Sequence, residues 1–129
     1  MRKILPKPDQ KGFTLIELMA VLVILGVLLS VATKKYINIS IVANFRALEA
    51  GIGEMNSRET LTWTNEMFAT RGTIDDNNVW AAINTNLGTD YVWTAGPLIT
   101  GGTLSFGGQT VALTRTAATT TGAGHWTGP

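Results

Sequence analysis

The sequence predicts an α+β protein. One long amino-terminal helix, apolar all round along its inner half and amphipathic along its outer half, packs on a small antiparallel β-meander. Three observations predict it. Residues 13–32 form an apolar run interrupted by a single charge, Glu17; residues 37–55 carry apolar side chains at helical spacing; and from Thr89 onward the chain turns to glycine, threonine and alternating apolar residues.

At about 1.5 Å per residue, the run FTLIELMAVLVILGVLLSVA reaches about 30 Å, the thickness of a bilayer's hydrocarbon core. It is long enough to span a membrane. Glu17 sets it apart from a plain anchor, because an ionised carboxylate on an isolated helix at that depth costs about 3 kcal/mol or more. The run offers this acid no charged partner, and Thr14 is only a weak donor. The missing cation must come from a terminus or another molecule, and a cut between Gly12 and Phe13 would create it as the α-amino group of Phe13.

Ahead of the run, residues 1–11 combine Arg2, Lys3, Lys7 and Lys11 with Pro6 and Pro8, a poor helix and a good cytoplasmic tether. This basic flank favours keeping the amino terminus inside, with Lys34 and Lys35 on the far side weakening the asymmetry. Two other readings compete for the segment: a secretory signal with Ser30-Val31-Ala32 as its small-x-small cleavage site, and a plain anchor never cut at Gly12. A signal's apolar region is normally about 7–15 residues, shorter than this run, and a plain anchor leaves Glu17 unexplained.

The segment KGFTLIELM, with the basic leader before it and the apolar run after it, resembles the amino-terminal signature of bacterial type IV pilins and of the pseudopilins of type II secretion. The resemblance implies prepilin peptidase cleavage between Gly12 and Phe13, N-methylation of Phe13, and an assembly role for the Glu17 carboxylate. It further implies a pilin-like fold divided into a cleaved leader (1–12), a transmembrane and filament-core half of the helix (13–35), and an outer half plus globular head with a flexible tail (36–129). The function implied is a structural subunit of a type IV pilus, or fimbrium, or a related filament. One alternative is a pseudopilin of a type II secretion system; a second is a membrane-anchored or secreted small binding domain. The partners implied are further copies in a homo-oligomeric filament, the prepilin peptidase and inner-membrane assembly machinery. The precursor would sit in the bacterial inner membrane, and the product in a surface pilus or periplasmic pseudopilus. The chain departs from the family pattern in three ways: it has no proline between Pro8 and Pro97, no cysteine to staple a carboxyl-terminal loop, and no acid after Asp90, where major pseudopilins commonly carry calcium ligands.

Beyond the membrane exit, Ile37, Ile41, Phe45, Leu48, Ile52 and Met55 fall within an arc of about 80°. Lys35, Arg46 and Glu49 lie opposite, while Lys34 and Asn44 sit on or beside the arc. The helix is expected to run from Phe13 to Met55, about 43 residues. Gly51 and Gly53 weaken its outer end, and the Glu54/Arg58 pair carries it a further turn. Thr60–Thr70 reads as an irregular connection that inserts Trp63 and Phe68 into the core and stops at Arg71-Gly72.

Asp75-Asp76-Asn77-Asn78 starts a short helix carrying Val79, Trp80, Ile83 and Leu87, with Gly88 at its end. The two aspartates read as caps and dipole partners rather than calcium ligands. Tyr91–Trp93, Thr103–Phe106 and Thr110–Thr114 read as strands, with Gly96-Pro97, Gly101-Gly102 and Gly107-Gly108 as turns. The tail from Thr116 is polar and flexible apart from Trp126, an edge strand or a contact with a neighbour.

The sequence holds no catalytic constellation. After the leader, six bases face eight acids, which argues against nucleic acid. The absence of cysteine removes thiolate sites and thiol nucleophiles. The one histidine, His125, has no acid near it in sequence, which makes it a surface residue rather than a ligand or base. Ser30, Ser40, Ser57 and Ser105 stand in no nucleophile-elbow context, and the glycine pairs lack the helix start of a phosphate loop. No cofactor or metal is expected, and the four tryptophans read as core and interface residues.

Overall fold

The computed structural model describes residues 12–129; residues 1–11 of the expected leader lie outside them. The described residues divide into two units between Asn38 and Ile39. Helix α1 (Leu15–Ala69) runs through the first and supplies the long helical part of the second, followed by α2 (Asp76–Ala82) and strands β1 (Tyr91–Leu98), β2 (Gly101–Phe106), β3 (Gln109–Thr116) and β4 (His125–Thr127). The strands form one antiparallel sheet in chain order, a meander.

A long helix on a small antiparallel sheet is the α+β, pilin-like architecture expected from the sequence. Helix α1, however, continues to Ala69 rather than ending near Met55. The threonines that suggest an irregular connection instead bond back onto the helix. The hydroxyls of Thr60, Thr64 and Thr70 donate to the carbonyls of Asn56, Thr60 and Glu66 at 3.0, 2.7 and 2.8 Å. Gly51 is present for packing, since a Cβ there would lie 2.7 Å from the Tyr91 ring. The helix stops as expected at Arg71-Gly72. Arg71 takes the left-handed conformation (φ 56°) and the Gly72 amide bonds the Met67 carbonyl at 3.0 Å, a Schellman closure.

Extending the helix also moves Phe68. It lies about 180° around α1 from Glu59 and is 82% exposed, not inserted in the core; Trp63 is half-buried against the core, its Nε1 donating to Thr119 O at 2.7 Å. The amphipathic stripe is covered only from Leu48 outward. Leu48 and Met55 are buried, whereas Ile37, Ile41 and Phe45 remain exposed. The β2–β3 turn meets α1 at Asn44, whose side-chain amide donates to Gly107 O at 3.0 Å, which accounts for a polar residue beside the stripe.

Helix α2 is shorter than expected. Asp75 is its N-cap and accepts from Asn77 N at 3.0 Å, but the helix gives way at Ile83 rather than at Gly88. The Asn84 and Asn86 side chains bond the amides two residues on, at 2.9 Å each, and so compete with helical bonding. Arg58 then donates to the freed carbonyls of Asn84 and Asn86 at 2.7 and 2.8 Å.

In the sheet, Gly107-Gly108 forms the expected tight turn, both residues at positive φ (55° and 81°) between paired Phe106 and Gln109. Gly96-Pro97 instead lies inside β1 at a register shift, and Gly101-Gly102 opens β2 after a two-residue Ile99-Thr100 turn. Tyr91 and Phe106, opposite one another in register, pack their rings 4.8 Å apart, and the Tyr91 hydroxyl donates to Ala47 O on α1 at 2.7 Å.

The end of the tail forms edge strand β4, as expected for Trp126, which is 1% exposed. Asn56 on α1 grips the Trp126 backbone from both sides, accepting from its N–H at 2.6 Å and donating to its carbonyl at 3.0 Å. Beneath it lies a buried ionic centre. The Arg115 guanidinium on β3 meets Glu59 of α1 at 2.5 Å and Asp76 of α2 at 2.7 Å, with both Arg115 and Glu59 side chains fully buried. All five guanidinium donors are used. Nε is shared between the two Glu59 oxygens, Nη2 serves Glu59 and Asp76, and Nη1 serves Asp76 and Ile99 O. Trp126 Nε1 donates to the other side of Glu59 at 3.0 Å, and Ala118 N to Asp76 at 2.7 Å. Asp76 is therefore the partner of a buried arginine, beyond the capping role read from sequence.

This centre joins α1, α2, β3 and the tail through charge-assisted bonds. The hydrogen bonds from Arg115 hold the Asp76 carboxyl below its ordinary pKa against the opposing effect of desolvation, with the Ala118 amide adding to them. Burial alone would lower the Arg115 pKa, but its bonds to Asp76 and Glu59 outweigh that and raise it.

Candidate processing and assembly site at the helix start

Gly12 and Phe13 precede α1 in irregular backbone, and both are exposed, Phe13 by 86%. A Cβ added at Gly12 would meet nothing within 4 Å. The fold of this chain does not itself demand glycine there, so a requirement for it must come from a molecule that reads the junction.

Thr14 is the residue before the helix, and its carbonyl accepts the first helical bond from Leu18 N at 3.2 Å. Its side chain and that of Glu17 cap one another's backbone: Thr14 N donates to Glu17 Oε2 at 2.8 Å, and Glu17 N donates to Thr14 Oγ1 at 3.3 Å. This is a capping box, T-x-x-E, which satisfies two amides that the first turn would otherwise leave free. The sequence reading gives Glu17 no partner of consequence within the run. The structure supplies one in the Thr14 amide, and the T-x-x-E spacing was the signal for it. Phe13 and Glu17 also line one open groove with Leu18, Ala20 and Val21.

From Phe13 to Val31 every large apolar side chain is at least 49% exposed, and α1 is long and apolar enough to cross a membrane. Such a surface requires lipid or other apolar helices around it. Elsewhere, among the described residues, no three His, Cys, Asp or Glu side chains converge to hold a metal. His125 is exposed on β4. Trp80 and Trp93 pack on Trp126 at 6.1 and 5.6 Å, as core rather than as a ligand box.

The long helix, small open sheet and capped apolar terminus are consistent with a structural protein built around its amino-terminal helix. Residues 7–33 match the prokaryotic N-terminal methylation motif, which is characteristic of prepilin-like proteins. No curated protein and no solved structure matches the chain. Motif and fold together support a structural role of the prepilin or pseudopilin type, with initial anchoring in a membrane.

Proposed function

We propose that this chain is the precursor of a filament subunit, a type IV pilin, cut between Gly12 and Phe13 by a prepilin peptidase and N-methylated on Phe13. The observation that carries this reading is the exposed Gly12-Phe13 junction placed directly before a Thr14/Glu17-capped apolar helix, within the motif at residues 7–33. Cleavage removes a basic leader (1–12) and leaves an amine beside Glu17. Residues 13–35 then form the membrane and filament-core segment, and residues 36–129 the outer helix and head.

In the membrane the Glu17 carboxylate is stabilised only by its own helix start. In a filament it faces the Phe13 amine of a neighbouring subunit, and neutralising the two charges in a low-dielectric core aligns the copies, while packing of the apolar helices supplies most of the cohesion. The same processing and packing serve a periplasmic pseudopilus, so a pseudopilin is the second reading. The lack of any acid after Asp90 favours the pilus, because it leaves no carboxylate ligands for calcium near the carboxyl end.

Three substitutions test the junction and the carboxylate separately. Gly12→Leu leaves uncut precursor in the membrane; normal cutting would count against the junction. Glu17→Ala permits cutting but reduces filament yield. Glu17→Gln preserves a T-x-x-Q cap while removing the charge, so wild-type filament yield from that variant would assign Glu17 to helix capping and remove its role in assembly.

A further inference from the structure

At the end of the apolar run two hydroxyls bond back onto α1, as those of Ser57, Thr60, Thr64 and Thr70 do further along it. Ser30 donates its hydroxyl to Val27 O, and Thr33 to Leu29 O, both at 2.8 Å. Each satisfies itself on its own helix, as a polar group at lipid depth must. The next three residues do not. Lys34, Lys35 and Tyr36 are exposed, Tyr36 by 75%, and among the described residues none of them makes a side-chain hydrogen bond or ion pair.

Three consecutive helical positions sweep about 200° of the helix circumference, so these side chains form a collar rather than a one-sided patch. The collar begins two residues beyond Ala32, where a 20-residue apolar run has used up the hydrocarbon thickness. No Asp or Glu occurs between Glu17 and Glu49 to neutralise it, and Glu49 is paired with Arg46 at 2.7 Å. Lysine stems lie along apolar surface while their ammonium groups reach outward, and tyrosine rings settle at headgroup level.

The geometry points to a lipid-binding collar in which Lys34 and Lys35 engage the phosphates of anionic phospholipids at the outer edge of the membrane, with Tyr36 seated between headgroups. The inference rests on the membrane placement of α1 in the proposed function. It gives the helix a fixed depth once the leader's bases are gone, because the collar is then the cationic cluster that flanks the apolar run in the sequence.

The test uses the full chain extracted in detergent and mixed with equal amounts of phosphatidylglycerol and phosphatidylcholine, with retained lipids counted by native mass spectrometry. A lysine near an anionic surface contributes about fivefold, so the wild type should favour phosphatidylglycerol about 25-fold more than Lys34→Gln/Lys35→Gln does. Arg46→Gln, which removes a cation already tied to Glu49, should retain the preference. No preference in the wild type, an unchanged preference in the double variant, or an equal loss in Arg46→Gln would overturn the collar. Repeating the comparison on Gly12→Leu precursor separates this from the reading of the junction. Failure of processing adds the leader's bases to both sides and leaves the ratio between wild type and double variant intact.

Discussion

Replacing Arg115 with methionine should cost the head a large part of its stability. The substitution keeps a similar apolar volume but leaves the fully buried Glu59 carboxylate with Trp126 Nε1 as its remaining side-chain donor. Asp76, with its side chain 17% exposed, can turn to water at lower cost. Removing one partner of a buried pair costs about 3–5 kcal/mol, and the contact of the guanidinium over the Trp80 ring at 5.4 Å is lost with it. A loss of about 4 kcal/mol is a large part of the 5–15 kcal/mol typical of a folded domain. At a urea dependence of about 1.5 kcal/mol/M, the unfolding midpoint falls by about 2–3 M. Tryptophan fluorescence of the full chain in detergent follows the transition, since Trp80, Trp93 and Trp126 cluster over this centre. The Glu59→Leu/Arg115→Met double variant should recover much of the loss, because an apolar pair can replace a buried ion pair nearly neutrally. The reasoning is refuted if Arg115→Met costs less than about 1 kcal/mol, or if the double variant is no more stable than the single one.

Two glycines two residues apart, on different sides of α1, should respond oppositely to alanine. At Gly53 a Cβ meets nothing within 4 Å, so Gly53→Ala should stabilise by up to about 1 kcal/mol; at Gly51 it would press on the Tyr91 ring at 2.7 Å, so Gly51→Ala should destabilise by about 1–3 kcal/mol in the same urea titration. Acid should loosen the head through Asp76. Its folded pKa lies below the ordinary 3.8, so the unfolded chain binds the proton more readily; the stabilisation is complete above that value and is lost as pH falls through the lower folded one. Stability measured from pH 6 down to pH 2 should therefore drop below about pH 4, and Asp76→Asn should flatten that part of the slope. Phe68→Ser, at a position 82% exposed, should change stability by less than about 0.5 kcal/mol; a larger loss would place that ring in the core after all.

The helix, the meander and the methylation motif at residues 7–33 were legible because local pattern encodes them: an apolar run with a single charge, alternating short strands and paired glycines. What sequence concealed was long-range partnership. Thr60, Thr62 and Thr64 lower helix propensity locally, yet α1 persists because Met55, Glu59 and Trp63 are engaged by the sheet, α2 and the tail. Arg115 carried a readable sign. It shares inward strand parity with Val111 and Leu113, where an arginine requires acids, but nothing local says that the acids are Glu59 and Asp76. The glycine- and threonine-rich tail looked loose for the same reason: the Asn56 amide and the Glu59 carboxylate that hold Trp126 stand far away in the chain.

The amino terminus of the native polypeptide tests the central proposal most directly. Peptide mass spectrometry of protein taken from cells should find a chain that begins at Phe13 and carries one methyl group on its α-amine. A peptide spanning an intact Gly12-Phe13 bond as the main species, or a terminus at Thr33, would contradict it.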